Sequence, residues 1–228
     1  MDNGAARFAE SYRLIVRWDN LFDDLEGQLE HELNAEDLEL RAEEERLRLG
    51  RLSLRHRLMS LGGGGSPHGA GGVVRVVLTS GETLTLRPKT FGRDWLAAEI
   101  LARQAVLPGA SPPGVPAPGD AQCVLPIAAI AGVILQSSEV RASLAAPAEP
   151  ESGVVDRIGL AFVLRDLARR RTFVEVHTTG GLLAGTIDRV GRDHIDLAVH
   201  ERGTPRRTSE VRHYRILPLA AIQLLRLP

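Results

Sequence analysis

The chain has 228 residues, a formal net charge of -1 and a single cysteine, Cys123. This length holds two small domains and a helical extension. One cysteine excludes an internal disulfide framework and is typical of a reducing compartment. The longest apolar run, residues 124–135, contains Pro126 and is too short for a membrane span, and no basic-then-apolar signal sequence opens the chain. We therefore expect a soluble, cytoplasmic protein that does not enter a membrane.

Residues 1–61 are predicted to form a helical N-terminal region, with an amphipathic helix over 17–61. Apolar side chains recur there at three- and four-residue steps, at Trp18, Phe22, Leu25, Leu29 and Leu33. Twelve carboxylates and one arginine lie between residues 19 and 45, whereas residues 46–57 carry five arginines and no acid. Gly50 is expected to interrupt the helix. We expect this region to act as a regulatory or assembly element.

Glycine and proline then mark the predicted domain boundaries. GGGGSPHGAGG is a flexible linker, predicted over 62–72, and no Gly-Lys-Ser/Thr follows it to make a phosphate-binding loop. The first β domain is predicted over 73–138, with a Pro/Gly-rich loop at 105–120. A linker over 139–156 separates it from the second β domain, which is predicted over 157–228 with a leading helix.

The two predicted β domains are copies of each other. VLPIAAI at residues 124–130 returns as ILPLAAI at residues 216–222. Upstream, residues 73–94 align without a gap with residues 172–193, and both stretches end in Gly-Arg-Asp. Repeats of this kind indicate one supersecondary unit built twice. We interpret the chain as a tandem duplication.

Each copy is predicted to contain five short strands. In the second copy they cover residues 173–178, 182–190, 194–200, 211–217 and 220–227, after an amphipathic helix over 157–170. Gly185, in the middle of the second strand, predicts a sharp bend or a bulge. Five short, strongly bent strands are typical of a small barrel. The expected fold class is α+β, with two tandem five-stranded small β-barrels after a long N-terminal amphipathic helix.

The stretch LARRRTFVEVHTTGGLLAGTIDRVGRDHIDLAV, residues 167–199, combines an arginine-rich helix end, a first strand, a glycine turn and a second glycine further on. This order resembles the Sm-like (LSm) family, and its bacterial Hfq-like branch in particular. SH3-like, Tudor and PRC-type barrels share parts of it. The resemblance implies RNA binding by a ring of barrels, in which the fourth strand of one barrel pairs with the fifth strand of its neighbour.

The turn before the last strand departs from that family. Sm proteins carry Arg-Gly there and Hfq carries Lys-His, and both line the base-binding pore, whereas this chain has Pro126–Ile127 and Pro218–Leu219. These side chains offer no donor to a uracil edge, so the pore site is not carried over. The resemblance does place an arginine-rich rim at residues 169–171 and, more loosely, a loop at residues 192–194.

The candidate nucleic-acid-binding residues lie mostly in the second copy, where residues 157–228 carry thirteen arginines and seven acids. They are Arg169, Arg170, Arg171, Arg192, His194, Arg206, Arg207, Arg93 and Trp95. Simpler roles stay open for them. Arginines at a helix end also oppose its dipole, and Gly-Arg-Asp also forms a hairpin turn in which Asp94 or Asp193 binds local backbone N–H groups. Trp95 either stacks on a base or fills one end of a barrel.

No residue pattern indicates an enzyme. His194, Asp196 and His200 share one strand face as candidate metal ligands, but three ligands on one strand lie too far apart for a single ion. Cys123 lies in an apolar strand, and nothing marks a serine as activated. We expect no catalytic activity, no cofactor and no metal.

The duplication also predicts assembly. Open strand edges are prone to aggregation unless another barrel covers them. Two barrels in one chain cover one edge and leave two open, so we expect a homo-oligomer, namely a trimer that forms a pseudo-hexameric ring. The predicted function is non-catalytic binding of RNA or single-stranded nucleic acid, as in post-transcriptional regulation. The alternative is a protein-interaction scaffold that kept the barrels and lost RNA binding.

Overall fold

The computed structural model describes residues 4–62, 72–104, 122–145, 153–204 and 207–227, with side chains from residue 25 onward. Residues 63–71 of the predicted 62–72 linker, the Pro/Gly-rich loop at 105–120, Arg206, and the side chains of Trp18 and Phe22 lie outside this description. The chain divides into two compact units, Met1–Leu52 and Ser53–Pro228.

The first unit is one long helix, α1 (Gly4–Gly50). The expected N-terminal helix is thus confirmed, and it ends at the glycine predicted to interrupt it. Ion pairs one turn apart support its last part, with 3.2 Å between Arg46 and Glu43 and 2.6 Å between Arg48 and Glu45. Within the described residues, no helix has an apolar stretch long enough to cross a membrane.

The second unit holds both repeats, each a helix followed by five strands. The first repeat contains α2 (Leu54–Leu61), β1 (Val74–Leu78), β2 (Thr83–Phe91), β3 (Trp95–Gln104), β4 (Gln122–Pro126) and β5 (Ile130–Ile134). Two short helices follow, α3 (Ser137–Leu144) and α4 (Val154–Arg157). The second repeat contains α5 (Leu160–Arg169), β6 (Phe173–Thr178), β7 (Gly181–Val190), β8 (His194–Val199), β9 (His213–Pro218) and β10 (Ile222–Arg226).

The helices of the structure differ from the sequence predictions in two places. The segment predicted as a linker at 139–156 contains most of α3, which begins with a capping box between Gln136 and Glu139. The helix predicted over 157–170 is divided into α4 and α5, because Ile158 and Gly159 adopt extended backbone conformations between them.

All ten strands form one antiparallel sheet in the order β5-β1-β2-β3-β4-β10-β6-β7-β8-β9. Each repeat therefore has the same internal order, with its fifth strand beside its first. The α+β class is confirmed. The sheet is not closed, however, and two separate five-stranded barrels are not confirmed. Within the described residues, β5 and β9 are the two outer strands of the sheet.

The strand pairing corrects the gapless alignment of the repeats. Val133 and Leu225 occupy equivalent positions after the shared apolar motif, and they pair with Val76 and Val176. By this pairing β1 is equivalent to β6, and the turn that follows β6 is one residue shorter than the turn that follows β1. The turns after β2 and β7 remain in the predicted correspondence. The duplication is therefore the same fold with a shortened first hairpin.

The structure shows a close backbone approach at Gly185, where a bend or a bulge was predicted. A Cβ atom on this residue would overlap the carbonyl oxygen of Ala198 in β8 and lie 2.9 Å from its carbon. The β7–β8 ladder also shifts register between Ile187 and Arg189. Glycine thus lets the two strands approach each other closely, next to the irregularity in their pairing.

Each repeat has a hydrophobic core that includes side chains of the other repeat. Leu58 of α2 lies in the first core, and that core also takes up Leu224 of β10. Leu164 of α5 lies in the second core, together with Trp95 and Val124 of the first repeat. Neither core is complete without the other half of the sheet, which explains why both repeats belong to one compact unit.

We expect Gly185→Ala to lower the free energy of unfolding by about 1–3 kcal/mol, because the added carbon forces β7 away from β8. Gly180→Ala is the control, since the nearest atom to a Cβ there is the Thr178 hydroxyl oxygen at 3.8 Å, and it should not lower the free energy of unfolding. Urea unfolding at one fixed protein concentration measures both. Equal midpoints for the two variants would contradict the steric explanation.

Candidate nucleic-acid interface

The arginine cluster predicted at the rim lies at the end of α5. Arg169 and Arg170 each approach a carboxylate oxygen of Asp166 to 2.7 Å. The hydrogen bond from Arg169, reinforced by Arg170, holds the pKa of Asp166 below its usual value. Two of the three guanidinium groups thus share one carboxylate, and both remain largely exposed to solvent.

Arg171 ends the helix in an unusual backbone conformation. Its φ of 53° lies in the left-handed region, which costs a residue with a side chain about 1 kcal/mol relative to glycine. The side chain is exposed, and it has no ion pair within the described residues.

Arg192 lies in the loop between β7 and β8, and His194 is the first residue of β8. Nδ1 of His194 lies 2.8 Å from Oδ1 of Asp193, and this contact lowers the pKa of the Asp193 carboxyl group. The N–H of Leu219 donates to the carbonyl oxygen of Asp193 at 2.7 Å, so the loop lies against the Pro218–Leu219 turn. Arg192 itself is exposed.

The equivalent loop of the first repeat contacts the second repeat. Trp95 is buried in the second core, and its indole N–H donates to the carbonyl oxygen of Ile158 at 2.9 Å. The N–H of Arg93 donates to the same oxygen at 3.0 Å, while the Arg93 side chain is exposed. Trp95 is thus placed as a core residue between the repeats, not as an exposed ring on which a base could stack.

Asp94 completes the start of α5. The N-cap residue of this helix, Gly159, has no side chain with which to cap it, and the carboxylate of Asp94 accepts from the N–H of Leu160 at 2.7 Å. The carbonyl oxygen of Asp94 accepts from the N–H of Ile127 at 2.9 Å. In the first repeat, Gly-Arg-Asp is therefore both a turn and a contact with the second repeat.

Of the two remaining arginines, Arg206 lies outside the described residues, and Arg207 is exposed just before a short helical turn at Thr208–Glu210. The structure brings Arg169 and Arg170 together through Asp166, and Arg93 together with Trp95 at Ile158. Of the other candidates, His194 contacts Asp193 and pairs with Pro218 of β9.

The junction between the repeats joins a fourth to a fifth strand, as the resemblance implied, but the residues that pair there were not indicated by the sequence patterns. β4 and β10 pair through Val124 with Leu225 and Cys123 with Arg226, and the N–H of Leu227 donates to the carbonyl oxygen of Gln122 at 2.9 Å. The shared apolar motif was the available signal, since it marks the strands on both sides of this contact.

The groups weighed for catalysis have structural partners. His200 is buried between the Thr186 hydroxyl at 2.9 Å and the Glu201 carbonyl oxygen at 3.0 Å. Asp196 lies 3.7 Å from Arg189. Burial raises the pKa of the Cys123 thiol to about 12, so the reactive thiolate is scarce. The described part of the chain has no cluster of three side chains suited to a metal ion.

Comparisons with known proteins give no match, whether to a protein-family model, a curated protein or a solved structure.

We expect Asp94→Ala to lower the free energy of unfolding by about 1 kcal/mol, because the first N–H of α5 loses its acceptor. Asp94→Asn keeps a side-chain oxygen at this position and should retain most of the stability. Chemical unfolding of the three proteins measures the difference. If Asp94→Ala matched the parent protein, the cap would not stabilise the junction.

The partly buried His177 side chain should make the folded protein less stable in acid. Burial, with Arg103 nearby, lowers its pKa to about 4, and its Nε2 has no hydrogen-bond partner within the described residues. The unfolded chain binds a proton near pH 6.5 while the folded protein stays neutral, so stability falls from pH 7 to pH 5 by about 2 kcal/mol.

His177→Gln should remove this part of the pH dependence, as measured by urea unfolding at both pH values. The control is His31→Gln, on the exposed surface of α1, which should keep it. A His177→Gln protein that loses as much stability as the parent between pH 7 and pH 5 would contradict the assignment.

Proposed function

We propose that the protein binds RNA or single-stranded nucleic acid without catalysis, as an Sm-like protein whose two repeats form part of a ring. The observation that carries the proposal is the pairing of β4 with β10. It joins the fourth strand of one repeat to the fifth strand of the next, which is the contact between neighbours that the Sm-like resemblance implies. In this proposal each five-stranded segment curves around its own core as a small barrel, and three chains complete a pseudo-hexameric ring.

The proposed binding surface is the end of α5 together with the exposed arginines of the loops that follow β7 and β8. Arg171, Arg192 and Arg207 are exposed and have no ion pair within the described residues. Arg169 and Arg170 share the single charge of Asp166 and retain a net positive charge between them. Such groups bind phosphates with little dependence on base sequence.

The turns at the family's pore position support a contact elsewhere. Pro126–Ile127 and Pro218–Leu219 present apolar side chains. The backbone N–H groups of Ile127 and Leu219 already donate to Asp94 and Asp193. Neither turn has a donor left for a base edge, so the proposed contact is made by phosphates at the rim.

The second candidate is a protein-interaction scaffold. Leu25, Leu29 and Leu33 are spaced along one side of α1 and are exposed, and an apolar stripe of this kind favours a protein partner. A scaffold function does not require the arginines of α5, whereas nucleic-acid binding does, and this requirement distinguishes the two functions.

We expect the purified protein to bind short A-rich and U-rich RNAs with an affinity that falls as salt rises. Arg169→Ala/Arg170→Ala/Arg171→Ala should weaken binding and lower the slope of log affinity against log salt by about 2, since each phosphate contact on a single strand contributes about 0.7. Fluorescence anisotropy over a salt series measures both.

The matched control removes three arginines from α1, as Arg41→Ala/Arg46→Ala/Arg48→Ala, and should leave the slope unchanged. Equal losses in both triple variants would mean that net charge, and not the rim, is responsible. Absence of binding by folded protein at low salt would overturn the nucleic-acid function and favour the scaffold.

A further inference from the structure

We infer that β9 of one chain pairs with β5 of a second copy, and that the Asp193 loop of the first chain receives the start of α2 from the second. This inference deepens the proposed function and rests on its assembly. It assigns a register and a helix contact to an interface that the resemblance implies only as a pairing of strands.

The junction inside the chain supplies the register. In the shared apolar motif, Ile216 corresponds to Val124, and after the motif Val133 corresponds to Leu225. Because Val124 pairs with Leu225 inside the chain, Ile216 is expected to pair with Val133 of the second copy. The neighbouring pair, Cys123 with Arg226, then predicts Arg215 opposite Ile134.

Burial at the internal junction matches exposure at the open edges. Val124 is 4% exposed, whereas Ile216 is 72% exposed. Leu160, which begins α5, is 6% exposed, whereas Leu54, which begins α2, is 38% exposed. An exposed isoleucine on an unpaired strand favours association, and the same two positions are the ones that the internal junction covers.

Each junction combines a large side chain with a small one, but the large side chain comes from the opposite strand in the two cases. The internal junction combines the large Leu224 with the small Cys123 in the first core. The open edges combine Gly132 with Arg215, and a Cβ on Gly132 would meet nothing within 4 Å. The stem of Arg215 fits over this glycine while its guanidinium group reaches the surface.

The loops after β2 and β7 have the same backbone contacts. The N–H of Gly92 donates to Trp95 at 2.9 Å, and the N–H of Gly191 donates to His194 at 2.8 Å. Asp94 uses its carboxylate to cap α5, whereas the Asp193 side chain is 84% exposed. The Asp193 loop thus has the same backbone geometry as the loop that caps α5, but its carboxylate contacts no helix start within the described residues.

α2 fits this vacant cap. It precedes the first repeat as α5 precedes the second, and Leu58 and Leu164, each four residues after the helix start, are both fully buried. The Ser53 hydroxyl already caps α2 by accepting from the N–H of His56 at 3.2 Å. The N–H of Leu54, the first residue of α2, has no acceptor within the described residues. Asp193 has a second carboxylate oxygen beyond the one near His194, and it can accept this N–H.

A second copy of this chain is the inferred occupant, because its two open edges are equivalent to the two strands that pair at the internal junction. β9 corresponds to β4, and β5 corresponds to β10, so the contact repeats head to tail. A head-to-tail contact of this kind closes into a ring when its rotation permits. The expected ring contains three chains.

The test is a disulfide between copies in Ile134→Cys/Arg215→Cys, oxidised in dilute solution. The native Cys123 is buried, with its pKa raised to about 12, and will not compete. We expect covalent dimers and trimers on a non-reducing gel and a mass of three chains for the parent protein. Ile134→Cys/Arg165→Cys, with its second cysteine on the exposed surface of α5, is the control and should stay monomeric under denaturing conditions.

Asp193→Ala tests the loop separately. Loss of one helix cap should weaken association about five-fold, the factor for roughly 1 kcal/mol, without changing the far-ultraviolet spectrum. Unchanged association would overturn the loop contact alone. A monomeric parent protein, or equal cross-linking in the control pair, would overturn the inference.

Failure of this interface is distinguishable from failure of the proposed function. RNA binding by a monomer that forms no disulfide would leave the function and remove the assembly. A cross-linked ring that binds no RNA at low salt would keep the interface and favour the scaffold.

Discussion

The hydrogen-bonded contact between β4 and β10 is the interaction on which the rest of the second unit depends. It joins two five-stranded segments into one sheet, and it places Trp95 and Val124 in the second core and Leu224 in the first. It also brings the Asp94 loop to the start of α5. A strand edge left open in water exposes unpaired backbone groups, and this contact covers one such edge on each repeat.

Much of the strand pattern could be predicted from the sequence because two-residue alternation and glycine turns act locally. β6 matches its predicted bounds, and the other strands of the second repeat differ at their ends by only a few residues. The division of the helix before β6 was missed, since Ile158 and Gly159 are set by contacts with Arg93 and Trp95 of the other repeat. The shortened first hairpin was also missed, because a gapless alignment of similar residues hides a one-residue change of register.

The candidate site was only partly accessible to sequence reasoning. Arginines at the end of α5 and in the loop after β7 are exposed, as expected for a charged run. The role of Trp95 could not be predicted, since the residue type suits both stacking and packing, and its partner oxygen belongs to Ile158, far along the chain. Asp94 and Asp193 show the same limit. They have one sequence context and different surroundings, because only the first loop has a neighbouring repeat against which to pack.

Duplication changes the energetics of a ring, whatever the ring binds. In a ring of three such chains, half of the junctions between repeats are intramolecular, and the sheet already forms them when the chain folds. Only the other half carry the translational and rotational cost of association. The remaining interfaces can therefore be weaker than those of a ring of six single repeats. An interface of that kind would be compatible with Gly132 and Arg215 at the open edges, where the internal junction has Leu224 and Cys123, and it would make assembly more sensitive to single contacts such as a helix cap.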